Sequence, residues 1–235
     1  ARVMDRIRHL LTGAAVGLRS GDVDATLDLL ADARATDVLI TELRSAADEG
    51  LSVVRTSPFV RRRERGHVRR MVELVEPLDR AMRNTRVLVR RVAVANYRGE
   101  RLPEEYVDLL ADLADATDHV AAALERNEMP SGVREEMLRL GERTATVRRS
   151  PELSAEVVLA QVRSIVVDLL QITGLDVLEA TDAVPPPSTA RAAPVMKPSR
   201  RPTLFMNSEA GSVETTVPTI ISAMGSVASP GSGLS

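Results

Sequence analysis

The chain of 235 residues has no cysteine, no tryptophan, one lysine (Lys197) and an aromatic content of 2%. Each scarcity excludes something. Without cysteine there is neither a disulfide nor a thiolate metal site. Phe59, Tyr97, Tyr106 and Phe205 are too few aromatics to fill a core. The interior therefore has to come from Leu, Val, Ile, Ala and Met, the composition of helix bundles rather than of β-sandwiches. No stretch approaches the ~20 apolar residues of a membrane-crossing helix. The best one, Leu153 to Leu178, is interrupted by Glu156, Arg163, Asp168 and Asp176. No GxGxxG or GxxxxGK[ST] pattern cradles a phosphate. His9, His67 and His119 fall on separate predicted helices, and no HxxxH or HExxH spacing occurs. Glu104-Glu105 and Glu135-Glu136 stand at helix starts, where the helix dipole favours carboxylates without any acid–base role. The expectation is no catalytic residue, no cofactor and no metal, hence not an enzyme.

What is present is balanced. Hydrophobic content is 44%, charged content 27% and formal net charge -2. Nucleic acid is not an expected partner, because the arginines have acidic neighbours and no stacking aromatics accompany them.

Apolar positions recur at helical spacing. Val3, Ile7, Leu10, Leu11, Ala14 and Leu18 mark a first helix, Val3 to Leu18. Arg19-Ser20-Gly21-Asp22 breaks it, and Asp22 caps a second, Val23 to Arg34. A third runs from Thr36 or Asp37 to Thr56, with Val38, Leu39, Leu43, Ala46, Val53 and Val54 as its inner side. Ser57-Pro58 ends it. From Phe59 to Gly99 the pattern is that of one long helix with Pro77 at its centre, where a lost backbone bond bends it. Asn96 to Arg101 is a turn, and Pro103, at a first helical position, opens a helix from Leu102 to Asn127. Helices from Val133 to Arg148 and from Leu153 to about Thr181 follow. The fold class is all-α: an antiparallel bundle over 1–183 with one long proline-kinked helix. From Val184 onward Pro185-Pro186-Pro187 and further prolines stand among Ser, Thr and Gly. The expectation for 184–235 is a disordered tail.

Charge is patterned as well. Arg62, Arg69, Arg83 and Arg90 repeat at the heptad spacing of a coiled coil on the long helix, with Arg80, Arg86 and Arg91 beside them. Asp108, Asp112, Asp115 and Asp118 form an acidic face on the following helix. Two readings stand. If the short connection makes these helices antiparallel neighbours, Arg90 meets Asp108, Arg86 meets Asp112 and Arg83 meets Asp115. Otherwise both stripes face solvent or a partner.

The stretches GDVDATLDLLADARATDVLITELRSAADEG (21–50), TSPFVRRRERGHVRR (56–70) and EPLDRAMRNTRVLVRR (76–91) resemble the cytoplasmic region of actinobacterial FUSC-family proteins. That family is also called fusaric acid resistance-like or aromatic acid exporter-like. The resemblance covers about residues 1–130. It implies a non-catalytic cytosolic domain of an integral membrane protein at the cytoplasmic face of the inner membrane, assembling or regulating an exporter of aromatic or other organic acids. The partners implied are the protein's own transmembrane domain upstream of Ala1 and further copies in a homo-oligomer. Arg2, Arg6 and Arg8 agree with a cytosolic flank. The chain opens without methionine or signal pattern and reads as a fragment of a longer protein. The alternative is a freestanding helical adaptor that binds a protein partner through its arginine-rich face.

Overall fold

A computed structural model describes residues 2–56, 62–126 and 128–187, with the backbone alone for 56, 62–65 and 67. The described residues are all-α, with no strand. The order is α1 (Arg2–Ser20), α2 (Val23–Arg34), α3 (Asp37–Thr56), α4 (Arg62–Tyr97), α5 (Glu104–Glu125), a 3-10 turn (Pro130–Val133), α6 (Arg134–Thr146), α7 (Leu153–Ile172) and α8 (Val177–Asp182). The expected disordered tail falls outside the described residues from 188 onward. Val184, the first residue assigned to that tail, is buried against the bundle.

α4 is the hub, packing against α7, α1, α2 and α3. α1 lies against α4 and α5 at once, which explains why it buries Met4 and Ala15 beyond the stripe expected from spacing. α5 reaches α6 and α7, and α8 closes on α7. A continuous aliphatic core runs through these contacts and includes Leu10, Leu88, Leu113 and Ile165, all fully buried.

Local chemistry sets the boundaries. The Asp22 side chain accepts from the Ala25 amide at 3.0 Å and starts α2. α1 and α2 approach closely because Gly13 and Gly17 face Leu29 and Thr26. A Cβ on Gly17 would stand 2.4 Å from the Thr26 methyl. That approach lets Asn96 of α4 donate to the Gly17 carbonyl at 2.8 Å.

Three expectations need correction. The helix expected to run from Leu153 to Thr181 is two. Gly174 adopts φ 97°, its amide bonds the Gln171 carbonyl and the Leu175 amide reaches back to Leu170, a Schellman stop. Asp176 and Glu179 then form a reciprocal capping box that starts α8. Pro103 is the N-cap of α5 rather than its first helical residue. On α3, Ile40 and Ala47 are the buried positions, whereas Val38 and Val53 are more than half exposed and Ala46 is exposed. α3 touches chiefly α4, so only a narrow stripe is covered.

Candidate functional site

The charged faces come from α4 and from the helices it touches. Two carboxylates are almost completely buried there, Asp79 on α4 and Asp168 on α7. Asp168 accepts from Arg80 Nε at 2.9 Å and from Asn84 Nδ2 at 2.8 Å. Arg80 also donates to Gln171 Oε1 at 2.7 Å and to Glu76 at 3.2 Å. One guanidinium thus clamps α7 to α4. Burial pushes the Asp168 carboxyl above its ordinary value, while the Arg80 and Asn84 bonds pull the other way. Asp79 is held by Arg83 four residues on, at 2.7 Å, and by Arg44 of α3.

A cleft of about 460 Å³ opens beside this network, lined by Arg80, Asn84, Arg163, Ser164, Asp168 and Thr181 among others. Arg163 donates to Thr144 Oγ1 at 2.7 Å and to the Val184 and Pro185 carbonyls at 3.3 and 2.6 Å. Burial lowers its affinity for the proton, and Arg149 adds repulsion. Ser164 donates to the Ala160 carbonyl and Thr181 to that of Val177. Every polar side chain lining the cleft therefore has a partner inside the bundle. A hollow of about 220 Å³ between α1, α3 and α4 is apolar apart from Arg2 and Glu42, which pair at 3.4 Å. Among the described residues, no group of three His, Asp or Glu gathers as a metal ligand set.

The register pairing of α4 with α5 does not form. Asp108 pairs with Arg19 of α1 at 2.8 Å, Asp112 with Arg143 of α6, and Asp118 with Arg8 of α1 at 3.1 Å. Arg83 turns to Asp79 and Arg86 to Asp37 of α3. The cause is topological: α1 lies against both helices and takes up the acidic face of α5. Arg69 and Arg90 are exposed. Neither they nor Asp115 has an ion pair among the described residues. The side chains of Arg62 and His67 lie outside the described set. Asp168 and Asn84 were not singled out from sequence. The available signal was an acid inside the apolar run of α7, which reads as a mere interruption until its distant arginine is known.

His119 of α5 stands 2.9 Å from Glu136 of α6. That bond, with the charges of Glu136, Asp118 and Asp115, raises the imidazole above its ordinary 6.5 against a smaller effect of burial. A raised folded-state value means that the stabilisation is complete below pH 6.5 and is lost as pH rises through the folded value. Both groups are over a third exposed, so the contribution is at most about 1 kcal/mol. Urea unfolding is expected to separate wild type from His119→Ala at pH 5.5 and to bring them together at pH 8.5. An equal gap at both values would show that the pair does not contribute.

Among known proteins, the chain is 31% identical over 204 residues to an uncharacterized protein of Corynebacterium glutamicum. The match covers 83% of this chain and 51% of that protein, so the chain spans about half the length of the relative. No protein-family profile and no solved structure matches.

Proposed function

We propose that this chain is the helical cytosolic domain of a FUSC-type integral membrane protein. In that role it runs no reaction of its own and assembles or regulates a membrane part that exports aromatic or other organic acids. The observation that carries the reading is the coverage: the matched region is 51% of the Corynebacterium glutamicum relative, leaving a second half of similar size. The reading requires a transmembrane block in that half; among the described residues no helix is long and apolar enough to cross a membrane. The FUSC-like wording of 21–50, 56–70 and 76–91 supports the assignment. So does the engagement of each polar group in the cleft beside Asp168 by a bundle partner, which suits a domain that transmits contacts rather than chemistry. Further copies of the protein and its own membrane block are the partners this reading requires, at the cytoplasmic face of the inner membrane.

The test uses the full-length Corynebacterium glutamicum relative with a tag on the matched half. Membranes washed with alkaline carbonate are expected to retain it, and the tag is expected to be cut by protease only in inverted vesicles. Recovery in the high-speed supernatant, or cutting in right-side-out spheroplasts, would overturn the reading.

A further inference from the structure

The outer face of the second half of α4 carries a 4-3-4-3 series that the fold leaves uncovered: Arg83, Val87, Arg90, Val94 and Tyr97. At 3.6 residues per turn these positions lie on one face, about 21 Å long. The buried positions Met82, Thr85, Leu88, Val89 and Val92 lie on the opposite side. Val87 is 47% exposed and Tyr97 77% exposed, and Val94 is half-buried. Residues 83–97 contain four arginines (Arg83, Arg86, Arg90 and Arg91) and no acid. Arg83 and Arg86 are committed to Asp79 and Asp37. Arg90 and Arg91 have no ion pair among the described residues. The stripe has the rhythm of a coiled-coil seam, with free positive charge where a seam requires a complement.

Charge decides the occupant. A second copy of α4 does not fit. Parallel pairing would set Arg83 on Arg83 and Arg90 on Arg90, and antiparallel pairing centred between Arg86 and Val87 would set each Arg83 against the partner's Arg90. The chain beyond residue 187 is itself basic, with Arg191, Lys197, Arg200 and Arg201 against Glu209 and Glu214. A lipid surface would attract the arginines, but it imposes no register, and interfacial helices insert Trp, Phe or Leu. This stripe offers two valines and one tyrosine.

We propose that this stripe docks an acidic amphipathic helix of another protein. Its carboxylates would meet Arg90 and the exposed side of Arg83, and its apolar residues would cover Val87, Val94 and Tyr97. The guanidinium–carboxylate pairs set register and encounter rate, while the apolar positions supply most of the affinity. The inference does not depend on the membrane reading, and its test needs no membrane protein.

The probe is a synthetic three-heptad peptide with leucine at the positions facing Val87 and Val94 and glutamate at those facing Arg83 and Arg90. A sister peptide carries lysine in place of each glutamate. Fluorescence anisotropy with the full 235-residue chain is expected to show micromolar binding of the glutamate peptide. Arg90→Glu, at an exposed position without internal partners, should weaken it at least tenfold and strengthen binding of the lysine peptide. Val87→Asp should abolish binding of both peptides. Circular dichroism confirms that each variant keeps its helix content. Equal affinity for both peptides, or no binding of the glutamate peptide, would overturn the proposal. So would flotation with phosphatidylglycerol vesicles that is lost in Arg90→Glu while the peptide fails to bind. Dimerisation of the wild-type chain in sedimentation, abolished by Val87→Asp, would overturn the proposal in favour of self-association through the stripe.

Discussion

Replacing Arg80 with methionine is expected to cost about 3–5 kcal/mol of stability at neutral pH and distinctly less at acid pH. Asp168 is 4% exposed and, among the described residues, receives its one charged hydrogen bond from Arg80. Methionine retains the aliphatic volume but leaves a carboxylate in the α4–α7 seam with only the Asn84 amide to solvate it. A buried charge stripped of its partner is among the costliest defects available to a folded chain. The pH dependence follows from the direction of the shift. Burial already raises the Asp168 carboxyl, and Arg80 is the largest influence lowering it. Without Arg80 the folded-state value climbs further above the unfolded one. The folded variant then binds a proton that the unfolded chain releases, so its stability grows as pH falls through that raised value. Urea unfolding at pH 7.5 and pH 5 should show the larger loss at pH 7.5. The double variant Arg80→Met with Asp168→Leu should recover much of the loss, because the isolated charge is gone. A loss independent of pH, or no recovery in the double variant, would mean that packing rather than charge accounts for the effect.

The same pair shows how far the sequence is readable. Some helix ends were legible from a local device, as with the Gly21-Asp22 break and cap before α2, and the 3.6-residue period marked α1 and α4. The split at Gly174 was missed, because a lone glycine in an apolar helical run is often tolerated, although the Asp176-x-x-Glu179 capping spacing just after it was available as a signal. Which charged faces meet was not legible either. A short turn between α4 and α5 suggested side-by-side packing, but chain proximity constrains only the helix ends. α1, more than eighty residues before Glu104 and Asp108, takes the acidic face of α5 through Arg19. Asp168 and Arg80 are likewise 88 residues apart, and no local pattern links them. Periodicity therefore identifies which face of a helix turns inward and is silent on what it turns towards. For α3 even the face shifted, since covering by one neighbour narrows the buried stripe to Ile40 and Ala47.

Tyr106→Ala should be the most damaging single truncation in the aromatic-poor core, at about 3–5 kcal/mol by analogy with other buried aromatics. The chain holds four aromatic residues, and the two described ones have opposite fates: Tyr97 is 77% exposed and Tyr106 is 1% exposed. Composition treats the two tyrosines alike. Their positions separate them, Tyr97 ending α4 on its outer face and Tyr106 lying in the first turn of α5. There it is one of the largest fully buried side chains, and its hydroxyl donates to the Arg148 carbonyl at 3.2 Å. It joins the start of α5 to the segment between α6 and α7. Truncation would leave a cavity that Leu, Val and Ala neighbours on rigid helices fill only in part, and would remove the donor from the Arg148 carbonyl. Tyr106→Phe separates these effects, because it keeps the ring and deletes only the hydroxyl, at a cost of about 1 kcal/mol. Thermal and urea unfolding of the two variants should therefore differ by at least about 2 kcal/mol. If phenylalanine were as damaging as alanine, the hydrogen bond to Arg148 and not the packed ring would hold this end of the bundle together.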